Sequence, residues 1–228
     1  MVTEIRVMSS AATKAAYLEL IPQFEQATRH KVLTLWVPSV EMMTRLTHDE
    51  PVDLVIMAAT SIEDLIKAGK VKPGSRVDLA RSGVGIAVRA GAPKPDIASA
   101  DALRRALLAA TGIAYSTGPS GLYLVRLFMR LGIADDIRAK CRQVQGEPVG
   151  NVVARGEAAI GFQQVSELLP VKGIDYLGPL PAEIQQVTTF AAGLPVHAKE
   201  NEAAHALIQF LRSPAAASVF RKSGMEPA

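Results

Sequence analysis

Tyr115-Ser116-Thr117-Gly118-Pro119-Ser120-Gly121 follows an apolar run, Thr111 to Ala114, and opens a helix-like segment that runs to about Arg130. A small polar turn punctuated by Gly and Pro, set between a strand and a helix, leaves the first amides of the helix unpaired and aimed outward. Backbone dipoles and hydroxyls then form an anion-binding geometry. The same arrangement recurs at Met8-Ser9-Ser10-Ala11-Ala12, between strand-like Ile5-Arg6-Val7 and helix-like Thr13 to Thr28. A third stands at Val37-Pro38-Ser39, ahead of Val40 to His48. No obvious nucleophile accompanies these turns, so they point to holding an anion rather than cutting a bond.

Around these turns, strand-like and helix-like segments alternate. Strands are expected at Glu4–Met8, Lys31–Val37, Asp53–Ala58, Val84–Arg89, Gly112–Ser116, Ala159–Gln163, Ile174–Leu177 and Val187–Ala192. Helices are expected at Thr13–Thr28, Val40–His48, Ser61–Ala68, Ala100–Ala110, Gly121–Leu131, Ala134–Lys140, Pro148–Arg155, Ser166–Leu169, Glu202–Arg212 and Pro214–Ser223. Such alternation argues for an α/β fold built on mostly parallel sheets. Ligands in such sheets bind off the carboxyl ends of the strands, where the Ser/Thr/Gly turns fall. Two segments read as crossing strands, Leu79 to Arg89 and Gln185 to Pro195. They imply a discontinuous first lobe, 1–80 plus 192–228, and a continuous second lobe, 82–186, with a cleft between them.

Composition narrows the function. The 228 residues are 49% hydrophobic and 21% charged, enough for a sizeable core, and carry a net charge of +3. Basic residues are scattered rather than gathered with aromatics, so nucleic acid is not an expected partner. A small anionic ligand fits the charge. The single cysteine, Cys141, rules out an intramolecular disulfide and reads as a structural thiol. No run of eighteen apolar residues exists, so membrane insertion is not expected. The N-terminus enters a strand directly. The expected location is therefore periplasmic if a leader has been removed and cytoplasmic otherwise.

Ser120 is not in a G-x-S-x-G elbow, and Ser10 precedes Lys14 by four residues rather than three, so covalent hydrolysis has little support. His30, His48, His197 and His205 are isolated, and no metal or other cofactor is expected. Gly83-Val84-Gly85 lies inside a strand and lacks the third glycine of a dinucleotide fingerprint; a strand kink is the preferred reading. Ser9, Ser10, Ser39, Ser116, Thr117 and Ser120 each have a plain role as helix caps, worth about 1 kcal/mol apiece. Their concentration at strand-to-helix turns favours a shared site. Arg81, next to Ser82, is placed to clamp a carboxylate bidentately, the plain alternative being a surface arginine paired with Asp78 or solvated. Gln163 and Gln164, at the end of an apolar strand, offer neutral amide donors or simply face solvent.

With these residues in view, the chain resembles type II periplasmic binding proteins, in particular the molybdate-binding protein family of ABC transporters. The resemblance runs through the N-terminal strand-turn-helix, Asp53 to Ala58, Gly118 to Tyr123, Ala158 to Phe162, and Phe210 to Ala216 with Phe220 and Gly224. It implies ligand contacts at Ser39 and Ser120 and backbone donors at Ala58 and Val149; Thr117 and Gly121, in the same turn as Ser120, are further candidate ligand contacts. Where that family has a first serine, this chain has Ala12, preceded by Ser9 and Ser10; where it has a tyrosine, this chain has Gln164. Those departures argue against specificity for molybdate, and Arg81 with the Gln163–Gln164 pair suggests a larger organic acid instead. The resemblance implies an ABC-transporter permease as partner and closure by hinge motion at the crossing strands. Aconitate isomerase resembles the same fold, so the rival to a binding protein is an isomerase moving a proton on an unsaturated tricarboxylic acid. Glu41 and Lys14 are then the candidate bases. A cytoplasmic ligand sensor is the third class.

Overall fold

The computed structural model describes residues 3–199 and 201–228; Met1, Val2 and Glu200 lie outside the described residues. The chain forms two compact units, Met1–Ser82 with Thr188–Ala228, and Gly83–Val187. In the first, β1 (Glu4–Ser9) leads through a 3-10 turn (Ala11–Thr13) into α1 (Lys14–Thr28). Then follow β2 (Lys31–Trp36), α2 (Ser39–Thr47), β3 (Leu54–Ala58), α3 (Ala59–Lys67) and the long β4 (Val77–Arg89), within which the second unit begins. The second unit continues with α4 (Ala100–Ala109), β5 (Ile113–Ser116), α5 (Pro119–Arg130), α6 (Ala134–Ile137) and β6 (Cys141–Val144). After these come α7 (Val149–Ala154), β7 (Ile160–Gln164), α8 (Val165–Leu168) and β8 (Ile174–Pro179). β9 (Val187–Gly193) returns to the first unit, which ends with α9 (Asn201–Leu211), α10 (Pro214–Lys222) and β10 (Glu226–Pro227).

Strand alternation builds the core of the first unit. On β3, Leu54 and Ile56 join Ile5, Val7, Phe24 and Leu207 in one cluster, while Val55 and Met57 face Met8, Met42, Ile62 and Leu65 in another. Burial on both faces explains why Leu54 to Ala58 is wholly apolar, with every residue buried. In the second unit, Ile160 and Phe162 of β7 face Val84, Ile86, Leu124 and Leu127. The opposite side of β7 is so close to α7 that a Cβ on Gly161 would lie 2.4 Å from Val153 Cγ2.

The sheets are mixed rather than mostly parallel. β1 runs parallel to β2 and β3, and β5 parallel to β6 and β7. Helical crossovers within each unit join these strands, as parallel pairing requires. β9 runs antiparallel to β3, and β4 runs antiparallel to β7 and β8. These two strands enter from the other unit and need no crossover helix. β6 is a strand that sequence patterning does not reveal. Its Arg142 and Gln143 are exposed, so apolar alternation is missing. The glycines of Gly83-Val84-Gly85 make room for side chains: a Cβ on Gly85 would sit 2.8 Å from the Tyr176 ring. The β4–β8 register shifts immediately beyond, between Ile86 and Ala87.

Phe162 is fully buried between β4 and α5, so Phe162→Ala is expected to destabilise the protein by about 3–5 kcal/mol. Urea titration checks this; an unchanged midpoint would show that this cluster does not hold the second unit together.

Candidate functional site

In the first unit, the end of β1 turns sharply into the 3-10 segment. The Ser10 amide donates to the Ile56 carbonyl at 2.9 Å, which ties the turn to β3. Ser9 turns its hydroxyl inward, 3.1 Å from Thr13 Oγ1 and 3.3 Å from the Ser10 carbonyl. Ala12 packs in the core, which accounts for an apolar methyl at that position. Ser10 differs from all of these. Its hydroxyl is buried and, among the described residues, has no hydrogen-bond partner.

At the second turn, Pro38 is extended and Ser39 occupies the first position of α2, half-buried. The first backbone bond of that helix runs from the Met42 amide to the Pro38 carbonyl at 2.9 Å, so the amides before Met42 precede the ladder. Ala58 closes β3, buried and opposite Phe190 of β9, and α3 begins at Ala59. Arg81 is exposed on β4, in register with Glu226. Asp78 is held instead by Arg76, at 2.8 and 3.0 Å, and among the described residues Arg81 has no acidic partner. The two candidate bases are both engaged. Glu41 accepts from Arg45 Nε at 2.8 Å, and Lys14 Nζ lies over the Trp36 ring, 5.3 Å from its centroid.

In the second unit, Ser116 and Ser120 pair their hydroxyls at 3.1 Å, and the Gly118 amide donates to Ser116 Oγ at 3.3 Å. Gly118 is extended and Pro119 starts α5 with its fixed φ, as favoured at a helix start. The first helical bond is Leu122 N–H to the Gly118 carbonyl, so the Ser120 and Gly121 amides lie ahead of it. Thr117 is half-buried beside them. Gly121 is dictated by space: a Cβ there would lie 1.6 Å from the Ser116 carbonyl oxygen.

The two glutamines point to opposite sides of β7. Gln164 is buried on the side of Phe162, opposite Val84. Gln163 bridges to α7 instead. Its Oε1 accepts the Val149 amide at 2.8 Å, and its Nε2 donates to Glu167 Oε1 at 2.8 Å. The Val149 amide, read from the resemblance as a ligand donor, is thus occupied by an internal acceptor. Glu167 is the residue that sequence reasoning overlooked. Burial pushes its carboxyl up to about 7, outweighing the Gln163 hydrogen bond, which lowers it. Its only sequence signal is a lone acid in the short run Val165 to Leu169, four residues beyond Gln163.

The fold is shared with solved binding proteins. The Azotobacter vinelandii periplasmic molybdate-binding protein superposes with a TM-score of 0.80 at 20% identity, covering 97% of this chain and 98% of that one. The sulfate-binding protein SubI of Mycobacterium tuberculosis superposes with a TM-score of 0.78 at 20% identity, over 99% and 87%. The fold is therefore the type II solute-binding fold. A family model described as bacterial extracellular solute-binding protein matches residues 5–226, and the chain belongs to that family. Among curated relatives, an aconitate isomerase from a Pseudomonas species is 41% identical, spanning 99% of this chain and 88% of the relative. The molybdate-binding protein ModA of Azotobacter vinelandii is 28% identical, over 97% and 89%.

Two outcomes follow from this geometry. Gly121→Ala drives a methyl into the Ser116 carbonyl and should cost about 3 kcal/mol, measured by urea denaturation; a midpoint equal to that of the unaltered protein would refute the close approach. The folded state binds the Glu167 proton more tightly than the unfolded state, so stability should fall as pH rises from about 4.5 to about 7. Glu167→Gln should flatten that part of the stability–pH curve, as followed by thermal melts.

Proposed function

We propose that this chain binds a small organic polycarboxylate. Each unit by itself offers candidate anion contacts: the first, the hydroxyls of Ser10 and Ser39, the backbone at Ser9 and Ala58, and the Arg81 guanidinium; the second, Thr117, Ser120 and Gly121 at the start of α5, with Gln164 at the end of β7. Val149 and Gln163 support this second set through their mutual hydrogen bond. The observation that carries the reading is the Ser10 hydroxyl. Buried hydroxyls nearby are paired, whereas this one is buried without a partner, at a cost of about 1–3 kcal/mol that a ligand oxygen would remove. A carboxylate ligand is favoured over a tetrahedral oxyanion by Ala12 and Gln164 at two of the resemblance's donor positions, and by the unpaired Arg81. Family membership supports a periplasmic location and delivery to an ABC-transporter permease.

A second reading is favoured by a specific observation, the 41% identity to an aconitate isomerase. On that reading the bound polycarboxylate is also turned over, through migration of a proton along its unsaturated carbon chain.

Calorimetry with di- and tricarboxylates, molybdate, tungstate and sulfate tests the ligand class. Tricarboxylate is expected to bind, and Ser10→Ala and Ser120→Ala are each expected to weaken it roughly tenfold, the worth of one hydrogen bond to a charged group. Binding of molybdate or sulfate in preference to every carboxylate would overturn the polycarboxylate reading.

A further inference from the structure

An isomerase of this kind needs a carboxyl or amine free to exchange protons, and neither Glu41 nor Lys14 is free, since Arg45 and Trp36 engage them. We propose that Glu167 is the proton-carrying residue, a role that rests on the isomerase reading above. Three observations place it there. β6, β5 and β7 are parallel neighbours, so their carboxyl ends share one edge of the second unit's sheet. The Ser116–Gly121 turn leaves β5 at that edge, and α8, which carries Glu167, leaves β7 there.

The second observation is the orientation of Glu167. The Val149 amide can only donate, so Gln163 presents Oε1 to it and must turn Nε2 toward Glu167. One carboxyl oxygen is thereby fixed. Oε2 is bonded to no partner among the described residues, and the residue is only part-buried. This combination holds the carboxyl in place while leaving one oxygen free to react.

The third is the absence of a committed counter-ion around it. α7 and β7 contain no ionisable side chain, and Glu167 is the sole acid of α8. On β8, Asp175 is held by Lys94 at 3.3 Å, leaving the Tyr176 phenol. β4 carries Arg81 in its first half and Arg89 at its end, and Lys172 lies in the loop between α8 and β8; none of the three forms an ion pair with Glu167 among the described residues. Arg155, which caps α7, is held by Glu147 and Glu157. A part-buried, desolvated carboxyl with no cation paired to it among the described residues populates both protonation states near neutral pH, as a group that takes and returns a proton must.

The step balances without a co-reactant. Oε2 of ionised Glu167 takes a proton from the saturated carbon next to the double bond. The C–H pair becomes a new C=C bond to the middle carbon, and the pair of the old double bond takes the proton back from Glu167 at the far carbon. Glu167 ends ionised, as it began. Charge that builds on the neighbouring carboxylate is held by the hydroxyl and amide donors of the Ser116–Gly121 turn.

The test compares the unaltered chain, Glu167→Gln and Glu167→Asp, using aconitate as probe. Interconversion of the cis and trans isomers, uptake of deuterium from D2O and the calorimetric Kd are measured for each, with circular dichroism confirming the fold. Glu167→Gln is expected to lose about 1000-fold in kcat and all deuterium uptake while keeping Kd within about threefold. Glu167→Asp should retain measurable turnover with a shifted pH profile. Turnover by Glu167→Gln equal to that of the unaltered chain overturns the assignment and leaves the isomerase reading standing. Loss of binding in proportion to turnover makes Glu167 a structural support and likewise overturns it. Binding without turnover or exchange by the unaltered chain overturns both this assignment and the isomerase reading, and leaves anion binding intact.

Discussion

Burial of the strands on both faces forces polar chemistry to their ends. Leu54 to Ala58 can present no polar side chain to either face without disrupting a core cluster, and the same holds for Ile160 and Phe162. Hydroxyls, amides and carboxyls therefore gather where strands stop and helices start. There the first helical amides have no carbonyl to bond. Everything proposed about function depends on this layout: Ser9–Ser10, Ser39, Ala58, Ser116–Gly121 and Gln163–Gln164 all stand at such ends.

Within those turns, internal hydrogen bonding separates scaffold from available donor. Ser9 and Thr13 satisfy one another, as do Ser116 and Ser120. The Val149 amide is satisfied by Gln163. The pairs hold each turn in one conformation, and Gly121 lets α5 start against the Ser116 carbonyl. Ser10 stands apart because its surroundings exclude water yet supply no acceptor or donor. Glu167 stands apart for a related reason, since burial desolvates its carboxyl and no cation pairs with it among the described residues.

Much of the element order was legible from patterning. The expected strand at 53–58 is β3, and the helix at 100–110 is α4, capped by the Ser99 hydroxyl. β6 was not legible, because an exposed edge strand has no apolar period to display. The antiparallel course of β4 and β9 was equally hidden, since strand direction depends on which partner a segment meets far along the chain.

By itself, the sequence determined the α/β alternation and the polar turns at the strand ends, because hydrophobic period and Gly/Pro/Ser placement are local properties of the chain. Tertiary structure alone decided which turn hydroxyls are spent internally. Ser9 and Ser10 are adjacent and chemically identical, yet one pairs with Thr13 and the other has no hydrogen-bond partner among the described residues. It also decided that Glu167, an unremarkable acid in a short helix, lies against Gln163 and away from any cation. Hydrogen-bond partners and local dielectric arise from segments brought together by folding, and no local pattern encodes them.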